Sequence, residues 1–284
     1  MIISFFSLVE ANIVLPLPKT FMFSPEDIAL LKQAKAIILP PICKKYYYWF
    51  CKEIAPVFPS MDARFHFPGK AGSSFVFELA RVPYPPTKIF KGIEALKARM
   101  AQGEKLYPYP FVVKWQWGGG GAFVYLVENE KQLWEVLLRF KDYKKREPMF
   151  VMQPYVEHDQ CDLRVVVIGS RFLTYWRCQE IKGEFRSNVS KGAKIYYHLD
   201  PELEQKAINL TKQICKKTGI NLAAFDIIFS SHDKTPLFLE INYGFGVQGI
   251  GGYQQYKQIL NEEVQKWVHQ VIYGYSEEEE KCPK

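Results

Sequence analysis

The chain has 284 residues, 48% of them hydrophobic and 15% aromatic, so it is a globular protein with material for one large or two modest cores. Its formal charge of +7 is spread along the whole chain without a basic block, which points to an anionic ligand and away from a nucleic-acid surface. No apolar run approaches membrane-spanning length. The six cysteines, Cys43, Cys51, Cys161, Cys178, Cys215 and Cys282, contain no C-x-x-C pair, which fits a reducing cytoplasm and speaks against zinc or a disulfide framework.

Met1 to Val9 is apolar but lacks a basic flank and soon meets Glu10, Pro16 and Pro18, so it predicts a first strand near Ile2–Phe6 and not a signal peptide. A helix from Pro25 to about Lys35 follows, with Ser24 as N-cap, then a strand Ala36–Leu39 and an aromatic helix around Tyr46–Ile54. The run Tyr46-Tyr47-Tyr48-Trp49-Phe50 has the chemistry to stack on bases, but a helix packed on a sheet explains it more simply. These elements make a short α/β unit over residues 1–66. A helix Ser73–Leu79 and a stiff linker Pro83-Tyr84-Pro85-Pro86-Thr87 lead into a larger α/β region ending near Gly274. The Glu-rich stretch from Ser276 to Lys281 reads as a solvated tail.

Within the larger region, Phe111–Trp115 and Ala122–Val127 read as strands around Gly118, Gly119, Gly120 and Gly121. The ending of a P-loop and its following helix are missing. Glycines here let backbone amides converge on phosphate oxygens, with Lys114 beside them; the alternative is a loose hairpin turn. Phe150–Val156 is a strand whose edge can read an adenine ring, and the carboxylates Glu157 and Asp159 just beyond it can accept from ribose hydroxyls. Asp162-Leu163-Arg164 enters another strand, and Phe185-Arg186-Ser187-Asn188 and Lys191-Gly192-Ala193-Lys194 form charged loops. Last come two apolar runs, Leu222–Phe229 and Pro236–Asn242, joined by Ser231–Thr235. A hairpin symmetric about Asp233 places Asp226 opposite Glu240, with Asn242 on the same face. Two facing carboxylates repel, so this all-oxygen set suits Mg2+ shared with phosphate, unless the hairpin end simply faces water.

The order of these parts resembles the ATP-grasp superfamily, and within it the branch of ribosomal-protein glutamate ligases and glutathione synthetases. Asp162-Leu163-Arg164, Phe185-Arg186-Ser187-Asn188, Phe225-Asp226-Ile227 and Leu239-Glu240-Ile241-Asn242 carry the likeness, over roughly residues 66–272. It implies an α/β (α+β) ATP-grasp fold: a short pre-ATP-grasp domain at 1–66, and an ATP-grasp domain at 67–274 whose two α/β subdomains grip ATP. The lid-bearing subdomain spans 67–150, the metal-bearing one 151–274, and an acidic tail 275–284. It further implies Lys70 and Lys114 near the ATP phosphates and Gly118 to Gly121 as a phosphate lid. Gln153, Tyr155 and Val156 become the adenine edge, and Glu157 or Asp159 the ribose acceptor. Asp226, Glu240 and Asn242 become ligands of Mg2+ or Mn2+, two ions per site, and Arg164, Arg186 and Asn188 face the transferred phosphate and acyl group. Pro154 removes one amide from the adenine edge, so binding there uses the Val156 amide or neighbouring carbonyls. Arg177 is a further candidate whose register the sequence does not settle.

The activity so implied is an ATP-dependent carboxylate-amine ligase that works through an acylphosphate. The alternatives are a phosphotransferase of the same fold and a non-catalytic nucleotide-binding subunit. The expected partners are a small-molecule or peptide carboxylate and an amine, with no nucleic acid or membrane, in a cytoplasmic protein open to homo-oligomerisation. Identity of the acid and amine is not legible.

Overall fold

The computed structural model describes residues 1–19, 22–141 and 149–274; the acidic tail, 275–284, lies outside the described residues. The chain opens with β1 (Ile2–Ser4), β2 (Ile13–Val14), α1 (Pro25–Leu31), β3 (Ala36–Ile38), α2 (Lys45–Lys52) and β4 (Val57–Phe58). The strands form a parallel sheet in the order β2-β1-β3-β4. Ser24 caps α1 as expected: its hydroxyl accepts from the Asp27 amide at 3.1 Å and the Asp27 carboxylate reaches back to the Ser24 amide, so two orphan donors are satisfied together. The helix stops at Leu31, short of the expected Lys35. The Gln33 and Ala34 amides tighten onto Leu30 and Leu31, and the Lys35 amide leaves to pair with the Met1 carbonyl. Tyr47 and Tyr48 of α2 are buried against this sheet, the core role and not the stacking one.

Next come α3 (Asp62–His66), α4 (Gly69–Ala80), β5 (Lys88–Lys91), α5 (Ile93–Ala101), β6 (Phe111–Trp115), β7 (Val124–Val127), α6 (Glu130–Lys141) and β8 (Met149–Pro154). Their four strands make an antiparallel sheet, β5-β8-β6-β7. The third sheet is built from β9 (Cys161–Ile168), β10 (Arg171–Cys178), β11 (Lys194–Tyr196), β12 (Leu222–Phe229) and β13 (Pro236–Asn242), with α7 (Pro201–Thr218) and α8 (Gly252–Tyr273). It is also antiparallel, in the order β11-β10-β9-β12-β13.

Strand alternation sorts β9 into two faces. Leu163, Val165 and Val167 join α4 and α7 in one core, whereas Val166 and Ile168 pack with α8 in another. Ala36, Ile38 and Phe58 of the first sheet share that second core, so α8 lies between the first and third sheets. α4 packs on α7 and β13 through Val76, Phe77 and Ala80. The division expected from sequence places α4 in the 67–150 part, and α4 packs on elements of the 151–274 part. α4 also starts at Gly69, four residues before the expected Ser73. Its first turn is capped from a distance, the Gln116 carboxamide accepting from Ala71 at 2.9 Å and donating to Pro68 at 2.8 Å.

The cysteine expectation needs correction. Cys161 and Cys178 are bonded to each other across β9 and β10, a pairing hidden by a 17-residue separation that only the strand register closes. Cys43, Cys51 and Cys215 are free. Among the described residues no helix is long and apolar enough to cross a membrane.

Candidate active site

The site begins on the face of β9 that carries Asp162 and Arg164. Their spacing of two places both side chains on one side. Across the ladder Arg164 lies opposite Asp226 of β12, and Asp162 opposite Arg177 of β10. The result is a checkerboard of two cations and two anions, all four at least nine-tenths buried. Arg164 grips Asp226 with two bonds, 2.7 and 2.9 Å, and Arg177 grips Asp162 at 2.7 and 2.5 Å while reaching Asp226 at 3.2 Å. Burial opposes the charge on Asp226, but the two guanidiniums overrule it and hold its carboxyl down to about 2. Burial likewise opposes the charges on Arg164 and Arg177, yet their aspartates keep both above the ordinary arginine value. For Asp162 burial prevails and raises the carboxyl.

β13 completes the face. Asp226 does stand opposite Glu240, and Asn242 donates to Asp226 at 3.0 Å. The rung is as expected, but its neighbours are not. The turn pairs Phe229 with Pro236 and Ile227 with Phe238, and an irregularity between Asp226 and Ile227 leaves Leu239 as the extra residue. Without that bulge Leu239 would face Asp226. Glu240 is half-buried, 3.4 Å from the Lys70 ammonium.

The second sheet supplies the opposing wall. Lys114 sits at the end of β6, and burial lowers its ammonium to about 8, with Glu240 pulling upward and Lys70 downward. Lys70 arrives from the first turn of α4 and donates to the Gly118 carbonyl at 2.7 Å. Gly69 permits this approach: its φ is +68°, and a Cβ there would come within 2.6 Å of the Gln116 side chain.

The glycine turn differs from expectation in one respect. Its carbonyls, not its amides, are engaged: Gly118 by Lys70, Gly120 by the Ser190 hydroxyl at 3.4 Å and Gly121 by Arg186 at 3.0 Å. The turn is thereby latched to the 184–190 loop of the other sheet. Arg186, expected to face phosphate, spends the rest of its fork on Glu184 two residues away, at 2.7 and 2.6 Å. Gly121, at φ +70°, lies so close to Asn188 that a side chain would strike it.

Two cavities meet here. The first, about 110 Å3, is lined by Gln153, Pro154, Tyr155 and Val156 with Lys114, Val112, Val124 and Leu239; the second, about 490 Å3, by Arg164, Tyr175, Gly119, Gly120 and the 244–249 loop. Arg177, Asn188, Asp226 and Glu240 line both. The residues expected at the adenine edge, 153–156, therefore fall together, and among the described residues nothing takes the Val156 amide. Glu157 and Asp159 do not line either cavity: Glu157 is exposed, and Asp159 pairs with Lys234 at the surface, 2.5 Å away. His158 and Asp162 line the first cavity in their place.

Arg177 thus joins the site through its bonds to Asp162 and Asp226. Asp162, Tyr175 and Gln116 were missed; for Asp162 the signal was present, since it shares a strand face with Arg164. A divalent cation fits the oxygen set only in part. Among the described residues no three His, Cys, Asp or Glu side chains converge, so Asp226, Glu240 and the Asn242 amide need added phosphate oxygens to complete a shell, the habit of Mg2+ sites.

Residues 69–264 match the RimK-like ATP-grasp domain, more than half of the chain. The chain belongs to the RimK-like ATP-grasp family. A probable alpha-L-glutamate ligase 2 from Shewanella sp. (strain W3-18-1) is 32% identical over 145 residues, covering 50% of this chain and 45% of that protein. The chain thus spans less than half the length of such curated relatives. Among solved structures, D-alanine–D-alanine ligase from Bacillus anthracis aligns at TM-score 0.61 and 14% identity over 91% of this chain and 89% of its own. Carboxyaminoimidazole ribonucleotide synthase from Aspergillus clavatus, complexed with ATP, aligns at 0.60 and 16% identity, over 87% and 65%. At these identities the two structures speak for the ATP-grasp fold alone.

Proposed function

We propose that this chain is an ATP-dependent ligase that joins a carboxylate to an amine, releasing ADP and phosphate. The observation that carries the reading is the wall shared by the two cavities. Arg177, Asn188, Asp226 and Glu240 stand between a slot lined by the Gln153–Val156 edge and a roomier pocket lined by Arg164, so a phosphate handed from one side reaches an acceptor on the other. In this reading adenine takes the Val156 amide, and Lys70 and Lys114 neutralise phosphate charge. Asp226, Glu240 and Asn242 would hold Mg2+ or Mn2+, two ions per site, which when bound supply Lewis-acid neutralisation of phosphate oxygens. The substrate carboxylate takes the γ-phosphate to become an acylphosphate, Arg164 and Arg177 face it across the larger pocket, and the amine displaces phosphate. No protein nucleophile is needed.

The alpha-L-glutamate ligase name of the relatives and the ATP of the aligned synthase support this reading. The acid and amine are proposed to be small molecules or peptides and the protein cytoplasmic, with domains at 1–66 and 67–274 and no nucleic-acid or membrane partner. Arg186 and Asn188 are proposed to act on phosphate once the glycine latch opens. The test is an ATP-turnover screen across amino acids and short peptides with product masses read out. A ligase needs acid and amine together for sustained ADP release and yields a condensed mass; ADP release with acid alone and a phosphorylated product would instead identify a phosphotransferase.

A further inference from the structure

The disulfide Cys161–Cys178 lies one rung from the Asp162–Arg177 pair. On its other side the Gln179 amide donates to the Gln160 carbonyl at 2.9 Å. Antiparallel rungs alternate between bonded and non-bonded pairs, so 161/178 is a rung without backbone hydrogen bonds, its Cα atoms 4.0 Å apart. The sulfur bridge is what joins the strands there.

The residues flanking Cys178 both serve the site. Arg177 holds Asp162 and Asp226. The Gln179 carboxamide donates to the carbonyls of Arg186 at 2.9 Å and Lys191 at 3.1 Å, and so secures both ends of the segment whose Arg186 and Ser190 latch the glycine turn. Among the described residues the free cysteines are poor alternatives for redox chemistry, since burial pushes Cys43 up to about 11 and Cys51 and Cys215 to about 12.

We propose that Cys161–Cys178 is a thiol–disulfide exchange site for a dithiol reductant, and that its state sets how firmly Arg177 and Gln179 hold the nucleotide site. A thiolate of the dithiol attacks the sulfur of Cys161, the more exposed of the two, and Cys178 leaves as thiolate. The second thiol of the reductant then displaces Cys161. Two electrons and two protons pass to the protein and the dithiol ends as a disulfide. With the bridge gone, the rung has neither a covalent nor a backbone link, and the strand ends carrying Arg177 and Gln179 loosen.

The inference rests on the nucleotide reading of the site, and the experiment separates the two. Full-length protein is prepared oxidised, and again after dithiothreitol and desalting. Thiols are counted by maleimide mass tagging, exchange is followed at residues 177–191, and affinity for a non-hydrolysable ATP analogue with Mg2+ is measured by calorimetry. Reduction is expected to expose two further thiols, to speed exchange at Gln179 and 186–191, and to weaken the analogue about tenfold, the scale of one lost charge-assisted hydrogen bond. Cys161→Ser and Cys178→Ser should each show the reduced behaviour in both preparations. An unchanged thiol count, equal exchange in both states, equal affinity where the analogue binds, or a redox response surviving in Cys161→Ser would overturn the proposal. Failure of the analogue to bind in either state would refute the nucleotide reading, while the exchange comparison in wild-type protein still decides the redox one.

Discussion

The charged face of the five-stranded sheet and the glycine turn above it are ordered by opposite means. On the sheet, Asp162, Arg164, Arg177 and Asp226 are buried and bonded to one another through side chains, with two charges of each sign. On the turn, backbone carbonyls of Gly118, Gly120 and Gly121 are each held by one side chain reaching across from another element. The first arrangement cannot lose a member without leaving a buried charge. The second can open by exchanging a few bonds with water or phosphate. From that difference we expect a rigid floor and a turn that can be released.

The contrast breaks most visibly at Asp226. Replacing it with Asn leaves Arg164 and Arg177 undercompensated, and about 3–5 kcal/mol of stability should be lost, read as a fall in the denaturant midpoint. Glu240→Gln, at a half-buried position 3.4 Å from the Lys70 ammonium, should keep its midpoint within about 1 kcal/mol while turnover falls by orders of magnitude. A stable Asp226→Asn protein would mean that the checkerboard is not a fold element, and normal turnover in Glu240→Gln would remove it from the metal set.

On the lid, Gly121→Val puts a side chain at positive φ against Asn188, a strain of roughly 1–3 kcal/mol, and turnover should fall about tenfold to hundredfold. Gly119→Val has open space for its Cβ and should be milder. Exchange at residues 116–123 should slow when ATP analogue and Mg2+ are added; identical exchange with and without them would reduce the lid to an idle turn.

A smaller effect is expected with pH. Lys114 is held near 8 by burial, below its unperturbed 10.5. Below pH 8 the ammonium is present to meet phosphate; above it the charge goes, so analogue affinity should decline as pH rises through about 8, with proton uptake on binding there. In the same window, from about 8 to 10.5, the unfolded chain binds the extra proton, so this group's contribution makes stability rise with pH. Lys114→Met should flatten both profiles in calorimetry and denaturation. The smallest effect belongs to Asp159→Ala: its ion pair with Lys234 is exposed, worth about 1 kcal/mol or less, and nucleotide affinity should stay within about twofold. A large loss there would identify Asp159 as the ribose acceptor.

Much of the site was legible because strand geometry is local. A period of two puts Asp162 with Arg164 and Glu240 with Asn242 on one face whatever surrounds them, and hairpin closure brings Asp226 to Glu240. Even so, that rung depends on a bulge at Leu239 that the loop sequence does not announce. Gly118 to Gly121 announced a turn, but whether amides or carbonyls point inward depends on which donors lie across from it.

Sequence alone, then, determined the strands that carry the charged positions, the polar residues along them, the capped start of α1 and the family resemblance. Each of these depends on neighbours a few residues away or on the linear order of motifs. Tertiary structure decided that Arg177 pairs with Asp162, that Cys161 meets Cys178, that Gln116 caps α4 from 45 residues away, that Lys70 reaches Glu240, and that Asp159 pairs with Lys234. Such pairings arise because burial strips solvent from a charge or an amide, and the partner it then requires is whichever group the packed sheets and helices bring within reach.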